Sequence, residues 1–97
     1  MNEENKTNYG NALSEYIKAR NEVAQLQAEY DRKRHAKRVQ LYEAKAQGLK
    51  ITEEAIRSTT ITEFADLGEK LLKAQAHLDN MTGMLNFYRD IYNKENN

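Results

Sequence analysis

The residues most able to do chemistry stand in one run, Asp31-Arg-Lys-Arg-His-Ala-Lys-Arg38, with five Lys/Arg and one Asp in eight positions. Residues 1–30 and residues 39–97 each carry a net charge of −2, so this segment alone supplies +4 and brings the chain to zero. Concentrated positive charge is suited to binding phosphate groups. On a helix, Arg32, Lys33, Arg34, Lys37 and Arg38 spread over more than half the circumference, which suits a rod lying against a polyanion. Tyr30 and Tyr42 flank the run, and their rings can stack on unpaired bases, a contact tolerant of sequence. The competing reading is a solvated basic face whose aliphatic stems cover apolar neighbours.

Other chemistries find no support. His35 and His77 are isolated, outside any His-Glu-x-x-His or Glu-x-x-His spacing, so no metal site is expected. No phosphate-cradling Gly-rich loop, nucleophile elbow or paired-carboxylate pattern is present. The expectation is a protein that is not an enzyme and uses no cofactor. There is no Cys, hence no disulfide framework or thiolate metal site, which fits a reducing cytoplasm. No apolar run approaches the ~20 residues that span a bilayer, so no membrane partner is expected. The start Met1-Asn2-Glu3-Glu4-Asn5 is acidic and polar, unlike a signal peptide. Overall neutrality confines any nucleic-acid binding to a local patch.

The elements that carry this run are expected to be helices. The chain has 97 residues, 31% of them charged, with no Pro and four Gly, a composition for long helices rather than a sandwich or barrel. The expected fold is all-α, a single domain over residues 1–97: a long antiparallel helical hairpin with a short connecting helix. Residues 1–8 and 94–97 are expected to fray. The first helix is expected over about 11–47, capped by Asn8 or Asn11, roughly 55 Å long. Its apolar face is Leu13, Tyr16, Ile17, Val23, Leu26 and Tyr30. That stripe lapses through 31–38 and resumes at Val39, Leu41 and Tyr42.

Gly48 is expected as the left-handed stop of this helix. Thr52 then caps a second helix over about 53–58, with Ile51 and Ile56 at the staple positions and Ser58-Thr59-Thr60 ending it. Thr60 and Glu63 match a capping box that would open a third helix over about 61–93. Its row Phe64, Leu67, Leu71, Ala74, Leu78, Met81, Leu85, Tyr88, Tyr92 alternates spacings of three and four. A second apolar row, Leu72, Met84, Phe87 and Ile91, exceeds what one antiparallel helix can cover: either the short connecting helix covers it or, as expected here, a homo-oligomer does, its interface built from Leu72, Leu78, Met81, Met84, Leu85, Phe87, Tyr88 and Ile91.

Three stretches carry a resemblance. They are the Arg32–Gly48 block, Thr52-Glu53-Glu54-Ala55-Ile56-Arg57, and the long helix from Phe64 to Tyr92 with Leu85-Asn86-Phe87-Tyr88-Arg89 near its end. In that order the chain resembles the UvsY-like recombination mediators of bacteriophages, over roughly residues 15–94. The resemblance implies an oligomeric, non-enzymatic binder of single-stranded DNA. Such a protein loads a recombinase onto strands covered by single-strand binding protein. It further implies that Lys33, Arg34, Lys37 and Arg38 contact the DNA backbone and that Leu85, Phe87, Tyr88 and Ile91 build the oligomer.

Three other readings compete. One is a helical protein-interaction module, such as a phage-encoded inhibitor or adaptor, working through the apolar C-terminal helix without nucleic acid. Another is a secreted hairpin of the WXG type, against which stand the absence of Trp and the turn Gly48-Leu49-Lys50. The third is a coiled-coil piece of a virion, since heptads specify no role.

Overall fold

The computed structural model describes residues 3–96. They form three α-helices and no strand: α1 (Glu3–Ala46), α2 (Glu53–Glu63) and α3 (Ala65–Glu95). The protein is all-α, as its composition requires, with the first and last helices antiparallel and a short helix between them. Two compact units are distinguished. The first comprises the described parts of Met1–Ala24 and Leu72–Asn97; the second is Gln25–Leu71.

In the first unit, α1 and α3 pair antiparallel around small residues. Ala12 and Ala19 of α1 and Ala74 and Leu85 of α3 are the buried apolar side chains. Tyr9 meets Tyr92 edge to face at 5.1 Å, and the Asn5 amide donates to Glu95 Oε1 at 2.6 Å. These contacts hold the outermost turns in place. Helix α1 therefore begins at Glu3 rather than near residue 11, and Asn8 and Asn11 lie inside it instead of capping it. Lys94 and Glu95 are likewise helical. The remaining expected frayed positions, Met1, Asn2 and Asn97, lie outside the described residues. Leu13 and Ile17, expected on the buried face, are exposed, because Ala12, Tyr16 and Ala19 occupy it. Small side chains at the contact let two helices approach closely, and that leaves the flanking larger ones at the rim.

In the second unit, the end of α1 packs on α2 and the first turns of α3. Gly48 ends α1 with φ +111°, and its N–H bonds Lys45 O while that of Leu49 bonds Ala44 O. That pair of bonds is the Schellman closure, which satisfies carbonyls that the helix leaves open. Thr52 caps α2, its hydroxyl accepting from the Ala55 N–H at 3.1 Å. Ile56, on the apolar side of α2, is only 2% exposed, and Ile51 is half-buried.

The expected end of α2 at residues 58–60 is corrected. Thr60 is buried, and its hydroxyl donates back to the carbonyls of Ile56 and Arg57. A hydroxyl bonded to the preceding turn is compatible with a continuing helix. That use also removes the Thr60–Glu63 capping box, since the oxygen serves as a donor to its own helix. Helix α2 runs on to Glu63, and the break falls at Phe64 (φ −110°, ψ 24°), whose N–H bonds Thr62 O. All nine members of the predicted α3 row, Phe64 to Tyr92, are buried or half-buried.

Candidate nucleic-acid interface

The basic run lies in the last third of α1, in the second unit. Helical periodicity decides where each cation points. At ~100° per residue, Arg34, Lys37 and Leu41 fall within about 40° of Tyr30, whereas Arg32 falls on the far side, roughly 160° away. The exposures follow this pattern: Tyr30, Arg34, Lys37, Leu41 and Ala44 are half-buried, while Arg32, Lys33, His35 and Arg38 are exposed. The contact row of α1 therefore does not lapse through 31–38. Arg34 and Lys37 continue it with their aliphatic stems, and Val39 and Tyr42, expected to resume it, are exposed.

Each inward cation has found a partner. The Arg34 guanidinium lies 5.1 Å from the centre of the Tyr30 ring, with its Nε buried and unpartnered. Lys37 Nζ is 3.1 Å from Glu63 Oε2, at the end of α2. Tyr30 is engaged on both sides. Beyond the Arg34 contact, a Cβ added at Gly68 of α3 would stand 3.4 Å from its ring. This half-buried ring is part of the packing, whereas Tyr42 is exposed.

Lys33 bonds Glu29 one turn back, at 2.9 Å. That hydrogen bond, with the nearby ammonium charge, holds the Glu29 carboxyl below its ordinary pKa. Asp31 accepts from the Gln27 amide at 3.0 Å. Among the described residues, no salt bridge engages Arg32 or Arg38.

Tyr42 keeps an exposed ring. Its hydroxyl donates to Glu53 Oε2 at 2.8 Å, which fixes the ring against the start of α2. The same bond, then burial and the Glu53 charge, raise the phenol pKa above its ordinary value. Around this ring an open groove of about 540 Å³ is lined by Arg38, Tyr42, Glu53, Glu54, Ile56 and Arg57. Sequence reasoning left Arg57 and Glu54 out of the site. The only signal for them was the connector itself, whose α2 residues return to face the end of α1.

Among the expected interface residues of the first unit, Leu78, Met81 and Tyr88 are half-buried and Leu85 is buried, so they serve the contact with α1. Met84 and Phe87 are exposed, Phe87 by 60%, with half-buried Ile91 one turn on. Leu72, exposed by 72%, stands 12 residues before Met84, about 18 Å along the helix, and does not join that patch.

Among the described residues, no cluster of three or more His, Asp or Glu could hold a metal ion, and no helix is long and apolar enough to cross a membrane. No protein-family model matches the chain, and no curated protein or solved structure is significantly similar to it.

Proposed function

We propose that this protein is a non-enzymatic, single-stranded DNA-binding accessory of recombination. In this reading it acts in the cytoplasm as a mediator that helps a recombinase load onto strands carrying single-strand binding protein. The supporting observation is the outward placement of Arg32 and Arg38 on a segment of net positive charge, with neither in a salt bridge among the described residues. The recombinase and the single-strand binding protein enter through the resemblance of the residue order to the UvsY-like mediators.

The two outward arginines of the basic run, Arg32 and Arg38, set the scale. Each single-strand phosphate contact contributes roughly 0.7 to the salt slope, so two give about 1.4. Affinity per protomer then falls about sevenfold between 50 and 200 mM salt. Useful affinity at that level calls for several protomers side by side, and Met84, Phe87 and Ile91 supply an apolar contact for self-association.

The test is fluorescence anisotropy of a labelled mixed-sequence single strand at several salt concentrations, with the protein's mass followed by light scattering. The double variant Arg32→Glu, Arg38→Glu should abolish binding while retaining helicity. Retained binding by that folded variant, or no binding by the wild type at low salt, would refute the reading.

One observation favours a second reading. Phe87 presents most of its ring to solvent beside exposed Met84, a surface that also fits a protein-interaction module working without nucleic acid. It predicts a specific protein partner and no salt-sensitive binding of DNA.

A further inference from the structure

The groove between the end of α1 and α2 gathers three kinds of group that seldom serve one structural purpose. Arg38 and Arg57 come from different helices, and neither takes part in a salt bridge among the described residues. Tyr42 offers an exposed ring held in one orientation by Glu53. Glu54, in the first turn of α2, lines the same groove and makes no hydrogen bond or salt bridge among the described residues, unlike Glu53, which is committed to Tyr42 and to Lys45 at 3.9 Å. Buried Ile56 forms the apolar floor.

A surface with guanidinium groups alone would take phosphates indiscriminately. Here an unengaged carboxylate stands beside them, and it repels phosphate. A carboxylate accepts hydrogen bonds and cannot donate them, so it favours a ligand that carries N–H groups as well as negative charge. A nucleotide with an exocyclic amine has both, together with a flat face for the tyrosine.

We infer that this groove is a nucleotide subsite with base preference. The arginines Arg38 and Arg57 bind the phosphate, Tyr42 stacks on the base, and Glu54 accepts a hydrogen bond from an exocyclic amino group. Thymine's one donor, N3–H, lies between two carbonyl oxygens that a carboxylate repels, whereas the cytosine amino group adjoins a single acceptor, so cytosine is favoured over thymine. Stacking on Tyr42 requires a base freed from its neighbours, so single strands are favoured over duplex. This inference rests on the single-stranded DNA reading and deepens it by naming which bases the protein holds.

The test is anisotropy with labelled oligo-dC and oligo-dT of equal length, and with a duplex of mixed sequence, on the full chain. Oligo-dC should bind about fivefold more tightly than oligo-dT, the low end for a good base contact since the groove is open. The Glu54→Ala variant should strengthen both by removing a negative charge, yet bring their ratio to one. Arg57→Ala should weaken both equally and lower the salt slope. Both side chains project into solvent, so circular dichroism should show unchanged helicity. Equal binding of dC and dT by the wild type, a ratio unmoved by Glu54→Ala, or duplex bound as tightly as single strands would each overturn the inference. If dC and dT bind equally but Arg32→Glu, Arg38→Glu abolishes binding, the subsite falls and the broader reading stands. If neither oligonucleotide binds at low salt, both fall together.

Discussion

The Lys37 ammonium lies 3.1 Å from the Glu63 carboxylate, and this contact turns one member of the basic run inward to tie α1 to the last turn of α2. The lysine side chain is 24% exposed and its partner 44%, so solvent screens the pair in part. Lys37→Ala should cost about 0.5–1 kcal/mol, lowering Tm by roughly 2–8 °C for a chain of this size. The double swap Lys37→Glu, Glu63→Lys should recover part of the loss in a thermal-melt cycle. DNA affinity should change little in Lys37→Ala, in contrast to Arg32 and Arg38 variants, if the ion pair is the main duty of this lysine.

The Tyr42–Glu53 hydrogen bond makes an alkaline prediction. The bond needs the phenol protonated, and it raises the folded-state pKa above the unfolded one. A group shifted in that direction stabilises the fold fully below its unfolded pKa and loses that contribution as pH rises through the folded value. Unfolding midpoints of the wild type should therefore fall more steeply above about pH 10 than those of Tyr42→Phe. Ultraviolet titration of tyrosinate, comparing the two proteins, should show that the component missing from Tyr42→Phe ionises above the ordinary tyrosine value. Glu29 runs in the opposite sense: its lowered pKa gives stability above the unfolded value that is lost as pH falls through the folded one. Lys33→Ala should reduce that acid dependence, leaving the smaller share due to the Arg32 and Lys70 charges.

The glycines separate by backbone and by space. Gly48 sits at φ +111°, so Gly48→Ala should destabilise by about 1–2 kcal/mol. Gly10 and Gly83 lie within helices with nothing near an added Cβ, and replacement by Ala should stabilise by about 0.5–1 kcal/mol each. Gly68→Ala is the discriminating case. Its Cβ would meet the Tyr30 ring at 3.4 Å, an ordinary contact, so it too should stabilise. A fall in denaturation midpoint for Gly68→Ala would mean that Tyr30 is seated more tightly than this geometry gives.

The exposed patch on α3 makes a prediction about mass. Met84→Ser with Phe87→Ser should leave the stability of each protomer within about 0.5 kcal/mol, since neither side chain is buried. If self-association uses this patch, light scattering should show the wild-type assembly reduced to smaller species. Leu72→Ser should leave the mass unchanged, because that residue stands apart from the patch.

Much of this architecture was legible beforehand because it is written in local terms. The alternating spacing from Phe64 to Tyr92 needs only the helical period, and all nine positions face inward. Thr52 as a cap and Gly48 as a stop need only hydroxyl chemistry and a permissive backbone. Helix ends were less legible. Asn5–Glu95 and Tyr9–Tyr92 extend α1 back to Glu3 through partners some ninety and eighty positions away in sequence. Thr60 could begin one helix or continue another, and burial beside Ile56 settled the matter.

The candidate site shows the same division. The sequence alone determined that α1 carries a concentrated basic run flanked by Tyr30 and Tyr42, because charge and order are properties of the chain itself. Only the tertiary structure decided which of these groups stay outward. A helix presents all its faces equally until other helices cover one of them. Here α2 and the start of α3 cover the line through Tyr30, Arg34 and Lys37. That leaves Arg32, Arg38 and Tyr42 to solvent and brings Glu54 and Arg57, 16 and 19 positions beyond Arg38, into the same groove.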